Sequence, residues 1–139
     1  MDSIEKWKKR YMSSDTAAVT KMFLPDIEAA YRLLQKLELS PILVQVLTGH
    51  GGFSSYLYRF KCKNSPECVC DSQKEESVEH LLLEYPKYLQ DRFKLEMVTN
   101  MQPKKENISK LLACKKHRNR FITYCIDIAK DVINRNKTK

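Results

Sequence analysis

Cys68 and Cys70 stand one residue apart, and His80 follows with nine residues between. Two thiolates on a tight turn and an imidazole on a following helix can converge on one tetrahedral zinc ion, so this trio is the first candidate for chemistry in the chain. The surrounding stretch, "ECVCDSQKEESVEHLLLEYPKY", reads as a zinc knuckle up to its last ligand and then places Tyr85 where a fourth cysteine is expected. A phenol titrates near pH ~10 and is a poor zinc ligand. Cys62, six residues before Cys68, is the expected replacement, ahead of Glu84 or a water. A plainer reading also stands, in which Cys68 and Cys70 are ordinary reduced thiols and His80 bonds a backbone carbonyl.

A second set of residues carries charge rather than ligands. The net charge of +8 lies entirely in residues 104–139, because basic and acidic residues balance in the first 103. Lys104, Lys105, Lys110, Lys115, Lys116, Arg118 and Arg120 form the densest part, continued by Lys130, Arg135, Lys137 and Lys139. Such clustering suits nucleic-acid phosphates, with RNA or DNA as the expected partner; the alternative is a solvated helix face that maintains solubility. His50, in "TGHGG", is expected to help lock a chain reversal rather than to act as a ligand or base.

Enzyme signatures are absent: no G-x-S-x-G, no H-E-x-x-H, no phosphate-binding loop and no dinucleotide fingerprint occurs. The expectation is a protein that is not an enzyme. A cysteine nucleophile paired with His50, His80 or His117 is the residual alternative.

The elements that must position these residues read as helices. With 139 residues, 42% hydrophobic, and only three glycines, the chain suits one compact, mainly α domain of about six to seven helices. A zinc-knuckle-like loop is expected between helices. N-terminal helices occupy 1–60, the degenerate knuckle 61–86, and basic C-terminal helices 87–139, all within a single domain 1–139. Ile4, Trp7 and Tyr11 mark an opening helix, with Ser14 or Asp15 capping the next. Ile27, Ala30, Tyr31, Leu34 and Leu37 mark one face of a second helix, and Ser40-Pro41 begins another that stops at Gly49. Phe53, Tyr56, Leu57 and Phe60 follow at helical spacing; "KCKNSPECVCDSQKEE" reads as loop, and Ser77 caps a helix limited by Pro86. Tyr88, Leu89, Phe93 and Met97 define a further helical face. Ile108, Leu111 and Leu112, then Phe121 to Ile133, make a short helix and a long one, or one long helix.

No run approaches the ~20 apolar residues of a membrane span, and five unevenly spaced cysteines fit a reducing compartment better than a disulfide framework. An intracellular protein, nuclear or cytoplasmic, without a membrane partner is expected.

In order, "LTGHGGFSSYLYRF", "SPECVC", "VEHLLLEYPKY" and "DRF" resemble the segment near the C-terminus of reverse transcriptase polyproteins from insect non-LTR retrotransposons of the Jockey and related types. "KWKKRYMSSDTAAVTKMFLP" resembles the stretch just before it, so the likeness covers roughly residues 5 to 95. The resemblance implies a CCHC zinc-knuckle module that assists RNA or DNA binding, with Cys68, Cys70 and His80 matching three ligands and Tyr85 departing from the fourth. No polymerase aspartates or ribonuclease H carboxylates accompany it, which points to a detached or captured retroelement tail. The alternative function is a captured viral or host accessory protein acting through protein contacts.

Overall fold

The computed structural model describes residues 18–137. The expected opening helix at Ile4, Trp7 and Tyr11, with its capping residues Ser14 and Asp15, lies outside them. Eight α-helices and one two-stranded hairpin are present among the described residues: α1 Ala18–Phe23, α2 Ile27–Leu34, α3 Pro41–Thr48, α4 Ser54–Arg59, β1 Glu67–Cys68, β2 Asp71–Glu75, α5 Val78–Leu83, α6 Leu89–Thr99, α7 Lys105–Ala113 and α8 Lys115–Lys137. A single 3-10 turn, Pro86–Tyr88, joins α5 to α6. The mainly α expectation holds, with one more helix than expected.

Helix boundaries follow local chemistry. Asp26 caps α2 by accepting from the Glu28 amide at 3.1 Å, Ser40 caps α3 through the Leu43 amide at 3.2 Å, and Ser77 caps α5 through the His80 amide at 3.2 Å. Gly49 ends α3 in the left-handed region at φ 72°, where a side chain would be strained and would also meet Val19.

The long helix α8 is the spine. It packs against α3, α5, α6 and α7, and buries Phe121, Cys125, Ile128, Ala129 and Val132 along one stripe. Gly52 lies so close to this helix that a Cβ would come within 2.9 Å of Ile133. Between α7 and α8 the chain breaks at Cys114, whose extended ψ of 113° interrupts the helix, so the two-helix reading is the observed one. Tyr124 donates its hydroxyl to the Leu82 carbonyl and so joins α8 to α5.

Three expectations change. "CVCDSQKEE" is a hairpin rather than a loop: β1 and β2 pair antiparallel, with Glu67 opposite Glu75 and Cys68 opposite Asp71, and Val69-Cys70 forms the two-residue turn. On α6 the buried residues are Leu95 and Thr99, whereas Leu89, Phe93 and Met97 are exposed. Helix α6 therefore packs by the face opposite to its apolar stripe. On α2 it is Ala30 that is buried, and Tyr31 faces out.

One buried carboxylate ties the N- and C-terminal parts together. Glu76 is fully buried and accepts from the Ser54 amide at 2.9 Å, the Ser54 hydroxyl at 2.7 Å and Asn136 Nδ2 at 2.8 Å, and it pairs with the Arg135 guanidinium. Replacing Glu76 by Ala leaves Arg135 charged and half-buried without its carboxylate and strips three other donors of their acceptor. A loss of about 3–5 kcal/mol is expected, read from urea unfolding midpoints; a change under about 1 kcal/mol would show that the carboxylate is dispensable.

Candidate metal centre and basic surface

The hairpin and α5 each supply part of one cluster. Cys68 ends β1 and is buried, Cys70 sits in the turn and is exposed, and the His80 ring is buried on the first turns of α5. The Cys68 and Cys70 sulfurs are 3.4 Å apart, and Cys70 Sγ lies 3.1 Å from His80 Nε2. All three ligand atoms fall within 4.8 Å of one another. Two thiolates on one tetrahedral zinc stand about 3.8 Å apart, given Zn–S bonds near ~2.3 Å, so the observed spacing fits a shared ion with small adjustments.

The imidazole is oriented from behind. His80 Nδ1 is 3.1 Å from Glu84 Oε1, one helical turn on, and a carboxylate only accepts, so the proton resides on Nδ1. Nε2 then presents its lone pair to the cysteines, which is the carboxylate–histidine arrangement common behind metal-bound imidazoles. The same hydrogen bond is the main reason the Glu84 carboxyl is held below the usual carboxylate range. Burial pushes the Cys68 thiol up to about 11, so without a cation it keeps its proton at neutral pH. A metal ion would have to displace that proton. Cys68, Cys70 and His80 can hold a metal ion.

The fourth position is where expectation and geometry part. Cys62 is exposed, its thiol directed to the Phe60 carbonyl at 3.5 Å, and it does not join the cluster. Helix α4 ends at Arg59, and the turn that closes it fixes Cys62 through a bond from its amide to the Leu57 carbonyl at 2.8 Å. Tyr85 is buried, its ring 6.0 Å from that of His80 and 5.3 Å from that of Tyr88, and its hydroxyl accepts from Arg135 at 3.2 Å. It packs beside the cluster instead of ligating within it.

Of the seven predicted phosphate-binding residues, Lys104, Lys105, Lys110, Lys115, Lys116 and Arg120 are exposed. Lys105 stands 3.7 Å from Glu79. Arg118 instead serves the fold, since its Nε and Nη2 donate to the carbonyls of Leu112 and Ala113 at 2.9 and 3.1 Å and satisfy the end of α7. Arg135 is likewise engaged with Glu76 and Tyr85. Residues that sequence reasoning missed are Glu76, Ser54 and Asn136; the run "KEESVEH" gave no sign of which glutamate would be buried.

His50 behaves as the structural reading expects. Its amide donates to the Thr48 hydroxyl at 3.1 Å, and its exposed ring stacks on Tyr56 of the next helix at 4.9 Å. No helix among the described residues is long and apolar enough to cross a membrane.

Comparison with known proteins finds Pol polyproteins of R1 type-1 retrotransposable elements. The chain is 28% identical over 86 residues to one from Nasonia vitripennis, described as retrovirus-related, covering 62% of this chain and 22% of the relative. It is 32% identical over 85 residues to one from Bradysia coprophila, covering 61% of this chain and 8% of the relative. A further Nasonia vitripennis relative is 28% identical over 96 residues, with 68% and 24% covered. No family model and no solved structure matches. The chain thus spans no more than a quarter of the length of these relatives, which are R1 elements; the finer expectation of a Jockey type has no counterpart among them. The similarity supports a retrotransposon-derived segment in this chain.

Proposed function

We propose that the protein is a nonenzymatic nucleic-acid-binding module, derived from a retrotransposon Pol polyprotein and stapled by one zinc ion on Cys68, Cys70 and His80. The convergence of two sulfurs and Nε2 in front of the Glu84–His80 hydrogen bond carries this reading. Zinc would act structurally, fixing the exposed hairpin turn against α5. Exposed cations at the start of α8 then provide phosphate contacts.

Protein purified without chelators should contain one zinc per chain by elemental mass spectrometry. Glu84→Gln should weaken zinc binding by about 10- to 100-fold, because the carboxylate that orients and enriches the imidazole is neutralised. Cys70→Ser should abolish binding and Cys62→Ser should leave it unchanged. Full zinc retention in Cys70→Ser would remove the centre.

Binding to single-stranded RNA should weaken steeply with salt. Lys115→Ala and Lys116→Ala should each reduce the slope of log affinity against log salt by about 0.7. Arg118→Ala should instead lower the unfolding midpoint, since it releases the α7 carbonyls. Affinity that stays flat across salt would overturn the phosphate contacts.

A protein-contact function is favoured by one observation, the exposed stripe Leu89, Phe93 and Met97 on α6. Sedimentation decides its weight: a stable homodimer that Phe93→Lys dissolves, in a protein without affinity for RNA or DNA, would put that reading first.

A further inference from the structure

Three rings that take no part in the Cys68–Cys70–His80 cluster form a continuous run from the glycine turn along α4. His50 and Tyr56 stack with centroids 4.9 Å apart and planes inclined 25°, and Tyr56 meets Phe60 at 4.7 Å and 44°. These are separations at which aromatic pairs attract, so the run is preorganised. Phe60, at its outer end, is 57% exposed. Two cations flank it in the chain: Arg59 is the preceding residue and Lys61 the following one, both exposed and neither in an ion pair among the described residues.

The backbone places these groups at some cost. Helix α4 closes with the Cys62 amide bonded to the Leu57 carbonyl at 2.8 Å and the Lys61 amide to the Tyr58 carbonyl at 3.0 Å, the paired bonds of a Schellman end. That motif needs a left-handed residue and usually takes glycine. Here Lys61 adopts it at φ 61°. Glycine would relieve the strain and remove the ammonium, so the sequence keeps a charge beside Phe60 against local preference.

We propose that His50, Tyr56 and Phe60 form a stacking platform for unpaired bases of single-stranded nucleic acid, with Arg59 and Lys61 meeting the adjoining phosphates. The proposal rests on the nucleic-acid reading above and locates a second contact, separate from the basic start of α8. With Tyr56 half-buried between them as the support, the exposed His50 and Phe60 rings offer π-faces that any unpaired base can cover, whereas a duplex keeps its base faces stacked inside; flanking cations match the backbone charge. Single strands are therefore the ligand that this combination of rings and charges selects.

The test measures binding of an oligouridylate of about eight nucleotides to the full chain, a length within the usual single-strand site size. Phe60→Ala should weaken affinity roughly 5- to 150-fold, and Tyr31→Ala, which removes another exposed ring, should not change it. Phe60→Trp should retain affinity and show fluorescence quenching by the oligonucleotide beyond that of Trp7 in the wild type. Lys61→Gly should raise the unfolding midpoint while weakening binding. Salt-sensitive wild-type binding that Phe60→Ala leaves intact, with no quenching in Phe60→Trp, would overturn the platform and spare the basic surface. No binding by the wild type at low salt would overturn both.

Discussion

The Glu76 carboxylate has no access to water, and an ionised carboxylate in that position demands several donors and a counter-charge. Meeting the demand brings together parts of the chain that are far apart in sequence. Ser54 opens α4, and its amide is one of the orphan donors of a helix start that lacks a side-chain cap of its own. Arg135 and Asn136 come from the last turns of α8, and Asn136 Nδ2 also donates to the Gly52 carbonyl at 2.7 Å. The Glu76 backbone is equally committed: its amide bonds the Pro66 carbonyl at 2.8 Å, and its carbonyl accepts from the Ser55 amide at 3.2 Å. The metal cluster depends on this residue because it stands at the joint between the two ligand sources. On one side the hairpin holds both cysteines; on the other Ser77 begins the helix that carries His80.

Tyr85 becomes intelligible in the same frame. A cysteine at that position would be small and would leave the space between His80, Tyr88 and α8 unfilled. The tyrosine ring packs there, and its hydroxyl takes one arm of the Arg135 guanidinium whose other arm serves Glu76. The residue thus links the cluster's helix to the buried carboxylate. Cys68, Cys70 and His80 stay together, and the end of α5 is secured by packing and the shared arginine.

Legibility in the sequence divides along a physical line. Caps at Ser40 and Ser77 and the stop at Gly49 were readable because their chemistry is local: each serine side chain meets an amide three residues away. The hairpin was not, since all of β2, "DSQKE", is exposed and shows no alternation between apolar and polar positions. Its register shifts at an irregularity between Glu67 and Cys68, and its base is closed by the Glu76 amide on the Pro66 carbonyl, neither visible as periodicity. The α6 face was misread because its apolar stripe, Leu89, Phe93 and Met97, is the exposed one; burial there follows the geometry of entry from the Pro86–Tyr88 turn, with Tyr88 fixed by its hydroxyl on Asp131 at 2.6 Å. Cys68, Cys70 and His80 were recognisable by type and spacing, whereas Cys62 met the sequence criteria and failed on the direction imposed by the end of α4.

Net charge overstates the number of cations free to meet phosphate. Arg118 closes α7 and Arg135 neutralises Glu76, so part of the basic excess of residues 104–139 is engaged within the fold. What is left is arranged against electrostatic preference. Helix α8 begins with Lys115 and Lys116, followed by Arg120 beyond the engaged Arg118, and has no acidic residue in its first turn. That end of a helix already carries the positive pole of the dipole, where cations cost stability and anions add it, by roughly 0.3–1 kcal/mol each. The break at Cys114 creates this helix start in the middle of the densest basic run, when an uninterrupted helix would have avoided it. A bound phosphate reverses the sign of the penalty, since dipole and side-chain charges then attract the same group. The arrangement is unfavourable for the protein alone and would be relieved by a bound polyanion, the ligand class of the proposed function, which solubility by itself does not require.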